Sequence, residues 1–183
     1  MEQLMLKFRI LNANPLKIIF VFFLILGVIK VGLYATGCRL FLNLTGSEPR
    51  GVYLQRPFDG ALRRGELVFM KCPPESEKYV YGRKWLPNGW ALLKTVRGTP
   101  GDCFCVFDYG VYVEGKRLGP VFSVDRQGLP LPVIRGCRII QANHFLPIAT
   151  GNENSFDGRY FGAVPDSLII GKAVPVISFG GER

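Results

Sequence analysis

The chain has 183 residues, of which 48% are hydrophobic, and a formal net charge of +9. This length predicts one domain with its own core once a membrane segment is subtracted. The charge does not indicate nucleic-acid binding, because Lys and Arg are scattered and form no stripe with interleaved aromatic residues. A basic surface near anionic lipid headgroups is the expectation that the charge supports.

The first predicted element is a membrane-spanning helix over residues 16–36. Apart from Lys17 near its start, the stretch is apolar all round except for Lys30, and it is about as long as the roughly 20 residues that cross a bilayer. The basic residues around its N-terminal end are Lys7, Arg9 and Lys17. By the positive-inside rule they predict a cytoplasmic segment 1–15 and an exported domain 37–183.

Three other interpretations of this segment stay open. A cleaved signal peptide would need a shorter apolar region and a small-residue cleavage site. The sequence Ala35-Thr-Gly-Cys38 loosely resembles a lipoprotein cleavage site, but it lacks the usual apolar residue at its first position. A buried core helix is the third interpretation, and an uncleaved anchor is the one we predict.

Beyond the anchor, short runs rich in β-branched and aromatic residues alternate with Gly and Pro, which predicts an all-β domain. The predicted strands are residues 51–55, 66–71, 91–96, 103–107, 111–114, 138–141, 144–149, 160–164 and 167–177. Hairpin-like reversals are expected at residues 108–110 and 114–116. Residues 73–89 fit no strand, and they are expected to form a surface loop or a short helix.

The chain has five Cys, and an exported domain lies in a compartment that permits disulfides, so at least one disulfide is expected. The sequence alone leaves the connectivity open. A zinc site is not predicted, because Cys103-Phe-Cys105 lacks the two-residue spacer of metal motifs and the chain has a single His. We predict neither a metal nor another cofactor.

Ser47 lies in a turn defined by Gly46 and Pro49, shortly after the apolar segment. A hydroxyl held in a turn beside the membrane suggests a nucleophile that acts on membrane-delivered substrates. The alternative is that Ser47 only stabilises the turn, which is the usual role of Ser in such a position. A Ser nucleophile needs a base, and the usual partner is His. For His144, the only His, a packed or surface imidazole is favoured, which leaves Lys or a carboxylate as the base.

Lys94 is the favoured base on physical grounds. In an extended strand it points the same way as Leu92 and Val96, and an ammonium between aliphatic neighbours loses solvation. Desolvation lowers the pKa of a lysine toward the range useful for general-base work. The alternative is an edge strand with the Lys94 amine in water, and side-chain alternation alone does not decide between the two.

Three segments are similar to a known family: residues 43–53 around Ser47, 92–102 around Lys94, and 154–162. In this order they resemble the bacterial type I signal peptidases, which are Ser/Lys proteases, and details resemble the TraF-type conjugative-transfer branch. Those details are Asn43-Xaa-Thr45, Cys72-Pro-Pro74, Leu129-Pro-Leu-Pro132 and Gly136-Cys-Arg138. The resemblance implies a mainly β fold, a partly closed antiparallel β domain after one N-terminal transmembrane helix.

The resemblance also implies the catalytic groups. Ser47 would be the nucleophile, Lys94 the general base and Asp157 a third catalytic group. The Ser47 N–H and the Thr45 hydroxyl would form the oxyanion hole. Signal peptidases commonly continue from the Ser with Met-Xaa-Pro, whereas Glu48 and a Pro follow here, so the turn departs from the family pattern.

Supporting residues follow from the same resemblance. Ser155 would hydrogen-bond the Lys94 amine, and Asp157 would pair with Arg159 to fix the loop near the site. Gly162 would close the chain beneath the site. The disulfide that TraF-type chains imply joins Cys105 to Cys137.

The function so implied is an endopeptidase that removes the signal peptide from an exported precursor, expected to be a propilin of conjugation. The enzyme would be a single-pass protein of the bacterial inner membrane with a periplasmic catalytic domain, in contact with lipid and not with nucleic acid. Two alternatives stay open: a transpeptidase that makes a circular pilin through the same acyl-enzyme, and a non-catalytic scaffold of the transfer apparatus. Residues 73–90 would either help cover the site or form an exposed loop.

Overall fold

The computed structural model describes residues 14–149 and 151–179, so residues 1–13 of the predicted cytoplasmic segment lie outside the described part. The chain divides into two units, Met1–Arg39 and Leu40–Arg183. In the first unit, helix α1 spans Pro15–Ala35, and the Asn14 side chain caps it by accepting the Leu16 N–H at 3.1 Å. By length and composition, α1 could cross a membrane, in agreement with the predicted anchor.

The second unit is built on a seven-stranded antiparallel sheet. Its strands, in sheet order, are β1 (Arg39–Asn43), β2 (Gly51–Arg56), β11 (Ile169–Ser178), β3 (Leu67–Met70), β4 (Leu92–Gly98), β9 (His144–Pro147) and β10 (Val164–Pro165). Strand β4 lies between β3 and β9, with Lys94 opposite Val68 in the register. An interior strand of this kind places the side chains of β4 deep in the domain.

A second sheet has four antiparallel strands. In sheet order they are β7 (Lys116–Gly119), β6 (Gly110–Val113), β5 (Cys103–Phe107) and β8 (Gly136–Ile139). Cys105 and Cys137 face each other in the β5–β8 register and form a disulfide, which is the pair that the resemblance implies. Among the described residues neither sheet closes into a barrel.

Buried apolar side chains form three clusters among the described residues. Under the larger sheet, Val68, Val96 and Phe145 are fully buried, whereas Phe104 and Val111 belong to the cluster of the smaller sheet. Buried positions alternate along β5, whereas they are nearly continuous along β3 and β4, as in strands that are covered on both faces. The mainly β architecture predicted from the sequence is therefore confirmed.

The structure corrects the predicted elements at three places. The predicted strand 160–164 is reduced to its last residue, which begins β10, because Asp157 caps a short helix, α3 (Gly158–Phe161), by accepting the Arg159 N–H. Strands β1 and β7 were missed, since β1 follows the anchor closely and β7 lies in a basic stretch. The stretch after residue 73 needs no correction: of the two expected structures, a loop or a short helix, it begins with two short helical segments, η1 (Pro74–Ser76) and α2 (Glu77–Val80).

We expect the disulfide to contribute substantially to stability. The two half-cystines are 32 residues apart in sequence, so replacing both with Ala should lower the free energy of unfolding by about 2–4 kcal/mol. Urea unfolding of the full-length protein in detergent measures this. Cys103→Ala in the same strand is the matched control, because Cys103 is a free cysteine. Equal midpoints for the double variant and the control would contradict the prediction.

Candidate active site

One amide side chain holds the turn that carries Ser47, between β1 and β2. The buried Asn43 Nδ2 donates to the carbonyl oxygens of Thr45 (3.4 Å), Glu48 (3.2 Å) and Pro49 (3.0 Å). Its Oδ1 accepts the N–H of Thr45 at 3.1 Å and the Thr45 hydroxyl at 2.6 Å. The carbonyl partners fix the orientation of the amide, and one side chain therefore shapes the whole turn.

The Thr45 hydroxyl lies beside the predicted nucleophile. Thr45 Oγ1 is 3.4 Å from Ser47 Oγ, and it donates its single proton to Asn43 Oδ1, which can only accept. In this arrangement the Thr45 hydroxyl can accept a hydrogen bond from Ser47. To donate to an oxyanion, it must first turn its proton away from Asn43.

Lys94 is buried inside the domain, with 3% of its surface exposed, and its Nζ donates to Ser155 Oγ at 2.6 Å. Because β4 is an interior strand, the alternative of an edge lysine in water is wrong. Burial lowers the pKa of Lys94, while the negative charges of Asp157 and Glu48 act in the opposite direction. The amine is thus in the environment that favours a neutral base.

Asp157 and Arg159 form a buried ion pair, and both side chains also hydrogen-bond to the backbone around them. Arg159 Nε donates to Asp157 Oδ1 at 2.8 Å, and both side chains are completely buried. The other guanidinium nitrogens donate to Asp157 Oδ2 and to the carbonyl oxygens of Ala149, Glu153 and Pro120. Asp157 Oδ2 also accepts the Ala149 N–H at 3.0 Å, so the pair ties the loop before α3 to the chain after β9.

This geometry bears on the role of Asp157. Its oxygens are occupied by Arg159 and by the Ala149 N–H, and its influence on Lys94 is electrostatic. In this structure Asp157 acts on Lys94 through its charge, and its bonds to Arg159 and to the Ala149 N–H hold the part of the chain that follows Ser155. A proton-transfer role for Asp157 stays a prediction from the resemblance.

The Ser47 turn lies against the loop that leads to Ser155. A Cβ atom added to Gly151 would lie 3.8 Å from the Ser47 carbonyl oxygen, and one added to Gly46 would lie 3.6 Å from Asn152 Nδ2. Within the described residues, no hydrogen bond joins Ser47 Oγ directly to Lys94 Nζ. Catalytic hydrogen bonds commonly tighten only when substrate binds.

Two glycines shape α3 and its exit. A Cβ at Gly158 would come within 2.8 Å of the Pro147 carbonyl oxygen and of a Leu146 methyl group, so the backbone packs here without a side chain. Gly162 ends α3 with φ of 81°, a conformation that side chains disfavour. The predicted closure of the chain at Gly162 is consistent with this turn.

The segment between residues 73 and 90 packs beside the loop of the site. Tyr79 and Trp85 contact Phe156, with ring centroids 5.3 and 5.4 Å apart, and Phe156 lies between Ser155 and Asp157 in sequence. The segment therefore supports the site from within the core. A covering role over bound substrate stays a prediction.

His144, which we did not predict to be the base, makes a local contact. Its Nδ1 is 3.0 Å from the Ala142 carbonyl oxygen at the start of β9, a local bond of ordinary kind. Among the described residues, no group of three or more His, Cys, Asp or Glu side chains could hold a metal ion.

Two residues of the site were not recognised from the sequence as participants. Asn43 belonged to a family signature, but its control of the turn was not anticipated. Glu48 was noted only as a departure from the family pattern; its carboxylate is buried and accepts hydrogen bonds from Thr95, next to Lys94. The signal available in the sequence was an acidic residue directly after the candidate nucleophile, where signal peptidases commonly have Met.

Comparison with known proteins adds three findings. Residues 13–178 match the family "Signal peptidase, peptidase S26". The chain is 35% identical over 153 residues to the "Conjugal transfer protein TraF" of Agrobacterium tumefaciens (strain 15955), covering 75% of this chain and 82% of that one. It is 31% identical over 164 residues to a "Plasmid transfer protein TraF" of Escherichia coli, covering 83% and 89%.

A solved structure is also similar. It is a signal peptidase I from Enterococcus faecalis V583, with a TM-score of 0.37 and 16% identity, and the similarity covers 61% of this chain and 96% of that one.

We expect the ion pair to be essential for the fold around the site. Arg159→Met leaves the Asp157 carboxylate buried without its cation, which should cost about 3–5 kcal/mol of unfolding free energy. Urea unfolding measures the loss. Arg135→Met is the matched control, because its ion pair with Asp108 is exposed, and its midpoint should not move. A small effect of both substitutions would contradict the prediction.

Proposed function

Because the chain belongs to the signal peptidase family, peptidase S26, we propose that it is a membrane-anchored serine endopeptidase with a Ser47/Lys94 dyad. The observation that carries the proposal is the Lys94 amine, buried in an interior strand and held by Ser155 at 2.6 Å. A lysine so placed has its pKa lowered by burial, as a general base requires. The dyad needs no histidine, which fits the local bonding of His144.

The chemistry follows from these groups. Neutral Lys94 takes the proton of Ser47 Oγ as that oxygen bonds to the scissile carbonyl carbon. The negative charge on the carbonyl oxygen is stabilised by the Ser47 N–H, together with the Thr45 hydroxyl once it has turned from Asn43. Lys94 then protonates the leaving amine, and a water molecule, activated by the same base, hydrolyses the acyl-enzyme.

Ser155 orients the base during this cycle. A neutral amine has two N–H donors and one lone pair, and the bond to Ser155 Oγ uses one donor. The lone pair stays available for the Ser47 proton. We therefore assign Ser155, together with the Asp157–Arg159 pair that fixes its loop, a positioning role.

The substrate we propose is an exported precursor with a signal peptide, and specifically a propilin of conjugation. Support comes from the family and from the conjugal and plasmid transfer names of the relatives. The basic residues around the start of α1 support a cytoplasmic N-terminus and a periplasmic catalytic domain in a bacterial inner membrane. Ser47 follows α1 closely in sequence, which suits a cleavage site that emerges from the bilayer.

The dyad is tested with a co-expressed candidate propilin. Ser47→Ala and Lys94→Ala should each abolish processing, because one lacks the nucleophile and the other the base. His144→Gln is the control and should process normally. Intact-mass spectrometry of the pilin reads cleavage, and a product one water lighter than the linear form would reveal cyclisation. Processing by either dyad variant would reject the dyad, and no processing by the wild type would favour a scaffold.

The pH dependence of kcat/KM is the second test. Activity requires neutral Lys94, so it should be lost as the pH falls through the pKa of Lys94. Because burial lowers that pKa, activity should persist well below the pH at which an unperturbed lysine titrates. Unfolding measured across the same range shows that the loss is not denaturation. Activity confined to values above about pH 10 would contradict a desolvated base.

A further inference from the structure

Glu48 is a buried carboxylate that the proposed mechanism does not use. It lies between Ser47 and Pro49 with 7% of its surface exposed. Its Oε1 accepts the N–H of Thr95 at 3.0 Å and the Thr95 hydroxyl at 2.8 Å. The residue after the nucleophile is thus bonded, through its side chain, to the residue after the base.

These two bonds connect separate parts of the fold. The Ser47 turn is shaped locally by Asn43, whereas Lys94 is fixed by the pairing of β4 with its neighbours. The contact between Glu48 and Thr95 joins residues 47 positions apart in sequence. It holds the Ser47 turn next to strand β4, which carries Lys94. The relative position of Ser47 and Lys94 depends on it.

The same carboxylate acts on the charge of the base. Glu48 and Asp157 attract the Lys94 ammonium, Arg159 repels it, and Cys72 stays a neutral thiol because burial raises its pKa to about 12. The pKa of Glu48 itself is raised, because burial outweighs the hydrogen bonds from Thr95 and the charges of Lys94 and Arg97, which act in the opposite direction. The pKa of the Tyr53 hydroxyl, which donates to the Pro49 carbonyl, is raised by burial and also by the charge of Glu48.

We propose that Glu48 is a positioning residue of the dyad: its carboxylate fastens the Ser47 turn to the Lys94 strand, and its negative charge stabilises the ammonium form of Lys94. The inference rests on the proposed peptidase function. A residue with this double role fixes the distance between nucleophile and base, and it also sets the pH at which the base becomes active.

Two substitutions separate the two roles. Glu48→Gln keeps an oxygen that can accept both bonds from Thr95 but removes the charge. The acidic limb of the kcat/KM profile should then move to lower pH, because Lys94 loses its proton more easily, while the plateau stays close to the wild-type value. Glu48→Asp keeps the charge but is one methylene too short for both bonds. Its limb should stay near that of the wild type, and its plateau should fall by about 10- to 100-fold.

Both profiles are measured on the full-length enzyme in detergent with the same precursor, and urea unfolding checks that each variant is folded. Glu114→Gln is the matched control, because Glu114 Oε1 also accepts a strand N–H, that of Cys103, at 2.5 Å in the smaller sheet. Its profile should match the wild type. An unmoved limb in Glu48→Gln, or a wild-type plateau in Glu48→Asp, would overturn the proposal.

Ser47→Ala distinguishes this outcome from a failure of the proposed function. If Ser47→Ala is inactive and the limb of Glu48→Gln does not move, only the role of Glu48 is rejected. If Ser47→Ala still processes the precursor, the dyad is rejected and the role of Glu48 falls with it.

Discussion

The desolvation of one ammonium group is the constraint on which the rest of the site depends. Lys94 is buried on an interior strand. Because a lysine charge is unfavourable out of water, this burial lowers the pKa of Lys94. A base needs this effect, but a fold can tolerate it only where neighbours offset part of the cost. The surroundings of Lys94 are arranged accordingly.

The offset comes from a balanced group of charges. Two cations, Lys94 and Arg159, are buried with two carboxylates, Asp157 and Glu48. Asp157 and Arg159 satisfy each other directly, and Arg159 also binds three backbone carbonyls, so this pair has the hydrogen bonds that make burial tolerable. Lys94 Nζ, by contrast, donates to a neutral hydroxyl, that of Ser155, and a partner without charge does not oppose the loss of its proton.

Much of this site is predictable from the sequence, because its residues lie in short motifs with defined chemistry. The Ser47 turn, Lys94 and the box around Asp157 could be recognised, and Gly and Pro punctuation located most strands. The strand prediction is wrong at residues 160–161, because Tyr and Phe favour strands whereas the Asp157 cap starts a helix there. The depth of Lys94 and the Glu48–Thr95 contact depend on strand order and long-range packing, which no local pattern contains.

The Asn43–Thr45 contact adds a requirement to the chemistry. In the structure described, the Thr45 hydroxyl donates to Asn43 and lies beside Ser47 Oγ as an acceptor. In the mechanism that we propose, this state would orient the Ser47 proton before attack. When the oxyanion forms, the rotation of one hydroxyl would convert Thr45 into a donor, and Asn43 Oδ1 would keep the Thr45 N–H as a partner. The cost is therefore one neutral hydrogen bond, about 1 kcal/mol, exchanged for a stronger bond to a charged oxygen.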